Sequence, residues 1–106
     1  MVNQCEIYWV ELDPTRGSEL RKARPCIVIS PNEMNHNINT VIIAPLTSSS
    51  KNYPTRIKVG LEGREGWIVI DQTRCIDKSR LMERAGYLDE GKIAEVKTVI
   101  RKILVD

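Results

Sequence analysis

The feature that most limits the fold of this chain is a series of short runs rich in β-branched and aromatic residues, separated by polar turns. Runs of this length and composition are typical of β-strands. The predicted strands cover residues 6–12, 26–29, 40–46, 56–59, 67–70, 73–77 and 84–88. The run at 26–29 is apolar throughout, which predicts a central strand.

The last segment has a different period. Apolar residues recur three and four apart from Ile93 to Leu104, with charged residues between them, which predicts an amphipathic helix. Asp89 is its predicted N-cap. Many short strands followed by one helix predict a mainly β, α+β fold in which a small curled antiparallel sheet or partly open barrel carries the helix. With no repeat and no linker, residues 1–106 form one predicted domain.

Composition excludes several kinds of protein. The net charge of +2 is too small to indicate nucleic-acid binding by itself. No apolar stretch approaches the ~20 residues that a membrane helix needs, and the N-terminus lacks a signal pattern, so we expect a cytoplasmic protein with no membrane contact. Three cysteines without a C-x-x-C pair argue against disulfides and zinc sites, and all three are predicted to be buried, inert thiols. His36 is the only histidine and is predicted to lie in a surface loop, so a pair of histidines is excluded.

A basic segment precedes the second predicted strand. Residues 17–25 read GSELRKARP, with three cationic side chains between a glycine and a proline. Pro25 favours an extended Arg24, which would hold its guanidinium at the mouth of the next strand. A planar, charged fork in that position suits a phosphate. The alternative is a solvated basic loop, and the segment alone does not decide between them.

Three motifs then stand out in order. They are YWVELDP at 8–14 with GSE at 17–19 and RP at 24–25, then PLTS at 45–48, then DQTRCIDKSRL at 71–81. In this order and spacing the chain, from about residue 6 to residue 104, resembles the MazF/PemK family of toxin endoribonucleases. The third motif is the most specific. One departure is NQCE at 3–6, where members often carry Arg-Gly-Asp, and it concerns contacts at the N-terminal edge.

The resemblance implies an SH3-like barrel, a homodimer, and cleavage of single-stranded RNA, including mRNA, without a metal or other cofactor. It also implies a cognate antitoxin whose disordered segment blocks the RNA groove. Arg24 and Thr47 match the family's catalytic residues. The expected RNA-binding positions are Gly17, Ser18, Glu19, Ser48, Tyr53, Asp71 and Gln72.

The chemistry of these residues fits RNA cleavage. RNA carries its own nucleophile, the 2′-hydroxyl, so an enzyme has to align the attack, stabilise charge on phosphorus and assist proton transfer. Arg24 suits charge stabilisation, because an arginine stays protonated and transfers protons poorly. Thr47 is expected either to bond a phosphate oxygen or to relay a proton; its structural alternative is a cap on a strand end. The products would be a 2′,3′-cyclic phosphate and a 5′-hydroxyl.

Residues around the third motif have alternative roles. Asp71 and Gln72 follow a buried strand and are expected to project into the same groove, where they would read the edges of splayed bases. Tyr53 is a candidate for stacking on a base, whereas Trp67 is predicted to lie in the core. The charged residues of the motif fit structural ion pairs as well as RNA contacts; they are Arg74, Asp77, Lys78 and Arg80.

Two other functions compete with the nuclease. A toxin resembling the gyrase poison CcdB would bind a protein target on the same fold, but the tail KILVD at 102–106 lacks the Trp-Gly-Ile ending typical of that poison. An RNA-binding module without activity is the third possibility, and the presence of both Arg24 and Thr47 argues against it.

Overall fold

A computed structural model describes residues 1–11, 23–50 and 52–106. The strands within these residues are β1 (Glu6–Glu11), β2 (Ala23–Val28), β3 (Thr40–Thr47), β4 (Arg56–Leu61), β5 (Arg64–Val69), β6 (Arg74–Asp77) and β7 (Leu81–Tyr87). The helices are α1 (Asn32–Asn35) and α2 (Glu90–Leu104), and single 3₁₀ turns cover Ile70–Gln72 and Lys78–Arg80. Neither α1 nor α2 is long and apolar enough to span a membrane.

The strands form one antiparallel sheet in the order β4-β5-β3-β2-β1-β7, with β6 also paired to β3. β3 is the organising strand, because one of its edges pairs with β2 while the other pairs first with β6 and then with β5. This exchange of partners curls the sheet. The prediction of a mainly β fold with a curled antiparallel sheet and a C-terminal helix is confirmed, as is the central place of the second strand, between β1 and β3.

The core lies on both faces of the curled sheet. Because side chains alternate along a strand, β2 contributes Ile27 to one apolar cluster and its neighbours Cys26 and Val28 to another. α2 covers the first cluster through Val96, which is almost fully buried. The predicted N-cap of this helix is confirmed: the Asp89 carboxylate accepts a 2.8 Å hydrogen bond from the backbone N–H of Lys92.

Three predicted strands begin three residues earlier than expected, and they are β2, β5 and β7. β2 starts at Ala23, opposite Glu11 of β1, so Arg24 lies inside a strand and not at its mouth. The polar turn expected between the predicted strands at 56–59 and 67–70 contracts to Glu62 and Gly63, whose φ angles of 51° and 77° close a tight two-residue hairpin. β5 therefore begins at Arg64.

The prediction of three buried thiols is wrong at one position. Cys5 and Cys26 are buried, and burial raises the pKa of both thiols, that of Cys26 to about 12. Cys75 is exposed, because β6 turns Ile76 toward the core and its neighbours toward solvent. His36 follows α1 and is partly buried, with its Nε2 2.9 Å from the side-chain oxygen of Asn3.

The buried carboxylate of Glu6 joins β1 to β7. Its oxygens accept hydrogen bonds from the Arg84 guanidinium at 2.8 Å, the Asn3 backbone N–H at 2.6 Å and the Tyr8 hydroxyl at 3.1 Å. Burial by itself works to raise the pKa of Glu6, but these three hydrogen bonds outweigh it and hold the pKa below its ordinary value. The ionised carboxylate is therefore the form that stabilises the fold.

Acid is expected to remove this stabilisation. Because the folded-state pKa of Glu6 is depressed, its contribution is fully present above the ordinary glutamate pKa of about 4.3 and is lost as the pH falls through the folded-state value. The difference in free energy of unfolding between wild type and Glu6→Gln, measured in urea, should shrink between pH 7 and pH 3. A difference that stays constant across that interval would show that the carboxylate charge does not contribute.

Candidate active site

A cleft of about 530 Å³ opens where β1, β2 and the end of β3 meet the β4–β5 hairpin. It brings together three residues that the sequence motifs singled out, namely Arg24, Thr47 and Ser48. The other described lining residues are Trp9, Pro25, Leu46, Leu61, Glu62, Arg64, Glu65 and Gly66. Gly17, Ser18 and Glu19 lie outside the described residues.

The register of β2 on β3 explains why Arg24 and Thr47 meet. Cys26 pairs with Pro45 at the end of the antiparallel ladder. Arg24 lies two residues before Cys26 and Thr47 lies two residues after Pro45, so both are at this end of the ladder, and both line the cleft. Strand pairing therefore brings two residues separated by more than twenty positions in sequence to the same end of the paired strands.

Arg24 is presented by a fixed backbone. Its backbone pairs with Val10 of β1, and its carbonyl oxygen accepts a hydrogen bond from the buried Cys26 thiol at 3.5 Å. The side chain is exposed, and within the described residues its guanidinium has no ion-pair partner. A rigidly supported guanidinium without a carboxylate partner can accept a phosphate at both of its outer nitrogens.

The Thr47 hydroxyl has a local structural role. Its Oγ1 donates to the carbonyl oxygen of Ser49 at 3.2 Å and accepts the N–H of the same residue at 3.4 Å. These bonds cap the end of β3, which is the structural alternative that the sequence left open. Both bonds are long and solvent-exposed, and a hydroxyl oxygen has a second lone pair, so the group remains available to a ligand in the cleft.

Gly66 packs against the backbone of Thr47 from the adjacent strand. A Cβ added at Gly66 would lie 3.2 Å from the Thr47 carbonyl oxygen, which is closer than most Cβ contacts in proteins. Only a hydrogen atom fits there without moving Thr47. Gly66 also lines the cleft, so the lack of a side chain both opens the cleft and sets the position of Thr47.

The hairpin supplies charged groups that sequence reasoning missed. Glu62, Arg64 and Glu65 line the cleft opposite Arg24, although their segment was predicted to be only a turn. Among the described lining residues, two cationic side chains thus face two acidic ones, and no strong net potential results. Phosphate binding in this cleft depends on the local position of Arg24 and not on a general attraction.

Asp71, Gln72 and Tyr53 lie around the 3₁₀ turn after β5 and do not line this cleft. The Asp71 carboxylate accepts hydrogen bonds from the Thr55 hydroxyl at 2.9 Å and from Arg56 Nε at 3.3 Å. The hydrogen bond from Arg56 is the main reason that the pKa of Asp71 is lowered. The Arg56 guanidinium in turn lies 4.9 Å from the centre of the Tyr53 ring.

The prediction that Trp67 belongs to the core is wrong. Its neighbour Ile68 is fully buried, and because side chains alternate, the indole points to the other face. There it is half-buried and lines a second groove of about 610 Å³ between β4 and α2.

In the third motif, Asp77 has a structural role, since its carboxylate accepts the N–H of Ser79 at 2.8 Å. That hydrogen bond is the main cause of its lowered pKa. In the described part of the chain, no three His, Cys, Asp or Glu side chains are grouped so that they could hold a metal ion.

Comparison with known proteins agrees with the motifs. The family model of the PemK-like, MazF-like toxins of type II toxin-antitoxin systems matches residues 3–104. An endoribonuclease MazF from Staphylococcus epidermidis is 29% identical over 106 residues, which covers 94% of this chain and 88% of the relative.

Two solved structures share the fold. The crystal structure of MazF from Deinococcus radiodurans is 27% identical with a TM-score of 0.79, and the match covers 97% of this chain and 96% of that one. A MazE-MazF crystal structure from the same organism contains a chain that is 26% identical with a TM-score of 0.82, covering 97% and 95%. Because the family model spans nearly the whole sequence, this chain belongs to the PemK-like, MazF-like toxins of type II toxin-antitoxin systems.

Proposed function

We propose that this toxin is a sequence-specific endoribonuclease that cuts single-stranded RNA, including mRNA, by attack of the 2′-hydroxyl on the adjacent phosphorus. The observation that carries the proposal is that Arg24, whose guanidinium has no ion-pair partner among the described residues, lines one open cleft together with Thr47 at the end of the β2–β3 ladder. The name of the S. epidermidis relative, an endoribonuclease, supports the same activity.

In the proposed reaction, the 2′-oxygen forms a bond to phosphorus while the bond from phosphorus to the 5′-oxygen breaks. The 2′-hydroxyl loses its proton and the leaving 5′-oxygen gains one. Arg24 holds the phosphoryl oxygens and stabilises the charge that grows on them in the transition state. Thr47 bonds a phosphate oxygen or passes on the 2′-hydroxyl proton, a role that its partly exposed side chain allows.

Substrate recognition is proposed to extend beyond the cleft. Asp71 and Gln72 would read base edges, and Tyr53 would stack on a base beside them. The ion pair between Asp71 and Arg56 keeps the carboxylate ionised and fixed, so that it accepts hydrogen bonds from bases. Gly17, Ser18 and Glu19 are proposed as further RNA contacts on the strength of the family motifs alone. Ser48 is proposed as another, because it also lines the cleft.

The proposed partners are a cognate antitoxin and a second copy of this chain, in the cytoplasm. The D. radiodurans MazE-MazF complex supports the first. The CcdB-like alternative finds no support in the matches described above.

The ends of the RNA fragments test the proposed chemistry. Cleavage in EDTA should leave a 2′,3′-cyclic phosphate and a 5′-hydroxyl, so the 5′ ends should be labelled by polynucleotide kinase without prior phosphatase treatment. Mass spectrometry of the 3′ ends identifies the cyclic phosphate. A 5′-phosphate, or a complete loss of activity in EDTA, would contradict attack by the 2′-hydroxyl without a metal.

Gly66→Ala is expected to slow cleavage about tenfold. A methyl group 3.2 Å from the Thr47 carbonyl oxygen displaces Thr47 by a few tenths of an ångström. A misplacement of about 1 Å in an active site can slow a reaction about 10²-fold, so a smaller displacement should have a smaller effect. Gly60→Ala is the matched control in the same hairpin, because its Cβ would lie 3.9 Å from the nearest atom. Equal rates for the two variants, measured under single-turnover conditions, would remove Gly66 from any positioning role.

A further inference from the structure

The outer edge of β4 carries backbone groups that the sheet leaves unpaired. β4 is an end strand, and in the described part of the chain its only ladder is with β5. Leu61 and Arg64 form the pair that closes the two-residue turn. Hydrogen-bonded and non-hydrogen-bonded pairs alternate from that point along the ladder. The N–H and C=O groups of Lys58 and Gly60 therefore point away from β5.

Two hydrogen bonds at the other end of the hairpin agree with this alternation. The Thr55 carbonyl oxygen accepts the N–H of Ile70 across the ladder at 3.2 Å, whereas the N–H of Arg56 turns outward to the Tyr53 carbonyl oxygen at 3.0 Å. Within residues 1–11, 23–50 and 52–106, no backbone hydrogen bond reaches the outward groups of Lys58 or Gly60. Both residues are exposed.

The groove of about 610 Å³ runs beside this edge and has α2 as its other wall. Its apolar surface includes Ile57, Trp67 and Val99. Among the described residues that line the groove, the charged side chains are the cationic Arg56, Lys58 and Lys92 and the acidic Glu95. Arg56 is already paired with Asp71 at 3.3 Å, so the lysines are the cations open to a ligand.

The lysines of the groove are only weakly engaged. Lys58 pairs with Glu65 at 3.1 Å and Lys92 pairs with Glu95 at 3.2 Å. Both are exposed pairs of the kind that contribute little to stability. Carboxylates of a ligand could therefore replace these partners at small cost.

We propose that the β4 edge and α2 form a docking groove for an extended acidic peptide, which adds a strand to the sheet and belongs to the antitoxin. Only a peptide backbone can continue the ladder at Lys58 and Gly60, and this favours a protein segment over RNA. The two weakly paired lysines, Lys58 and Lys92, favour acidic side chains. The identity of the occupant depends on the proposed toxin function, while the groove itself does not.

A matched pair of variants isolates the backbone contribution. Lys58→Pro removes the outward N–H without breaking the ladder with β5. Edge strands tolerate a proline where the lost N–H points away from the sheet. Lys58→Ala removes the same side chain and keeps the N–H. Against the purified antitoxin, and against an end-blocked peptide of alternating valine and glutamate, Lys58→Pro should bind about tenfold more weakly than Lys58→Ala, the effect of losing one backbone hydrogen bond.

Hydrogen exchange on the wild-type chain gives a second measurement that needs no variant. The amides of Lys58 and Gly60 should exchange more slowly in the antitoxin complex than in the free toxin. Equal affinities for the two variants, or unchanged exchange in the complex, would overturn the proposal. Two other results would also overturn it. One is that a single-stranded oligonucleotide slows exchange of the Lys58 and Gly60 amides in the Arg24→Ala variant, which would make RNA the occupant. The other is that Lys58→Pro loses only its self-association, which would make a second copy of the chain the occupant.

The proposal of a docking groove and the proposal of nuclease activity can be tested separately. Lys58→Pro should cut RNA at the wild-type rate, because Lys58 lies outside the Arg24 cleft. If wild type does not cut RNA, the proposed function is wrong, and the peptide measurement still tests the groove.

Discussion

Replacing Arg24 by alanine is expected to slow RNA cleavage by a factor on the order of 10²–10³, which corresponds to about 3–4 kcal/mol of transition-state stabilisation. The reason is the placement of its guanidinium: exposed in the cleft, fixed on a paired strand and, within the described residues, without a carboxylate partner. Among the described residues that line the cleft, the other cationic side chain is Arg64, which belongs to the β4–β5 hairpin. The rate constant for a single turnover with saturating RNA measures the effect.

Two further variants separate charge from geometry. Arg24→Lys keeps the positive charge but loses the planar fork, and should recover only part of the rate. Arg101→Ala removes one exposed charge near the end of α2, outside the cleft, and should leave the rate nearly unchanged. Arg24→Ala should still dimerise and bind the antitoxin. If it cuts RNA within about threefold of wild type, less than 1 kcal/mol is lost and Arg24 is not part of the mechanism.

Local patterns predicted the elements, and the motifs predicted three residues of the cleft, namely Arg24, Thr47 and Ser48. The reason that the first two meet is not local. Arg24 and Thr47 line the same cleft because β2 pairs with β3 in one register. A shift of one residue would send one side chain to the other face. The apolar runs at 26–29 and 40–46 predict strands without fixing that register, since nearly every position in both is apolar. Only the assembled core selects it.

The wrong predictions concern faces and turns. Trp67 and Cys75 look like core residues by composition, yet each lies on a strand face that no second layer covers fully. The segment at 61–66 contains two glycines, and either could have made the turn. The structure uses Gly63 for its positive φ and Gly66 for close approach to Thr47, and this division of roles depends on a strand distant in sequence.

The polar stretch at 32–39 shows the same limit. α1 is a single turn of helix within this stretch, and nothing in the sequence distinguishes its asparagines from one another. Asn35 is 1% exposed, donates to the Ser30 carbonyl oxygen at 2.8 Å and accepts the Ser30 hydroxyl. The hydroxyl oxygen of Ser30 also accepts the N–H of Ile42 at 3.0 Å. This network therefore joins α1 to β3, the strand that ends at Thr47.

Asn35→Leu is therefore expected to destabilise the fold by about 2–4 kcal/mol, because it leaves a buried carbonyl and a buried hydroxyl of Ser30 without their partner. Urea unfolding measures the loss as a lower midpoint with an unchanged slope. Asn37→Ala is the matched control, since the side chain of Asn37 is exposed and bonds only the Glu33 carbonyl oxygen. It should cost less than about 0.5 kcal/mol. Equal losses for the two variants would mean that the buried network contributes no more than a surface hydrogen bond.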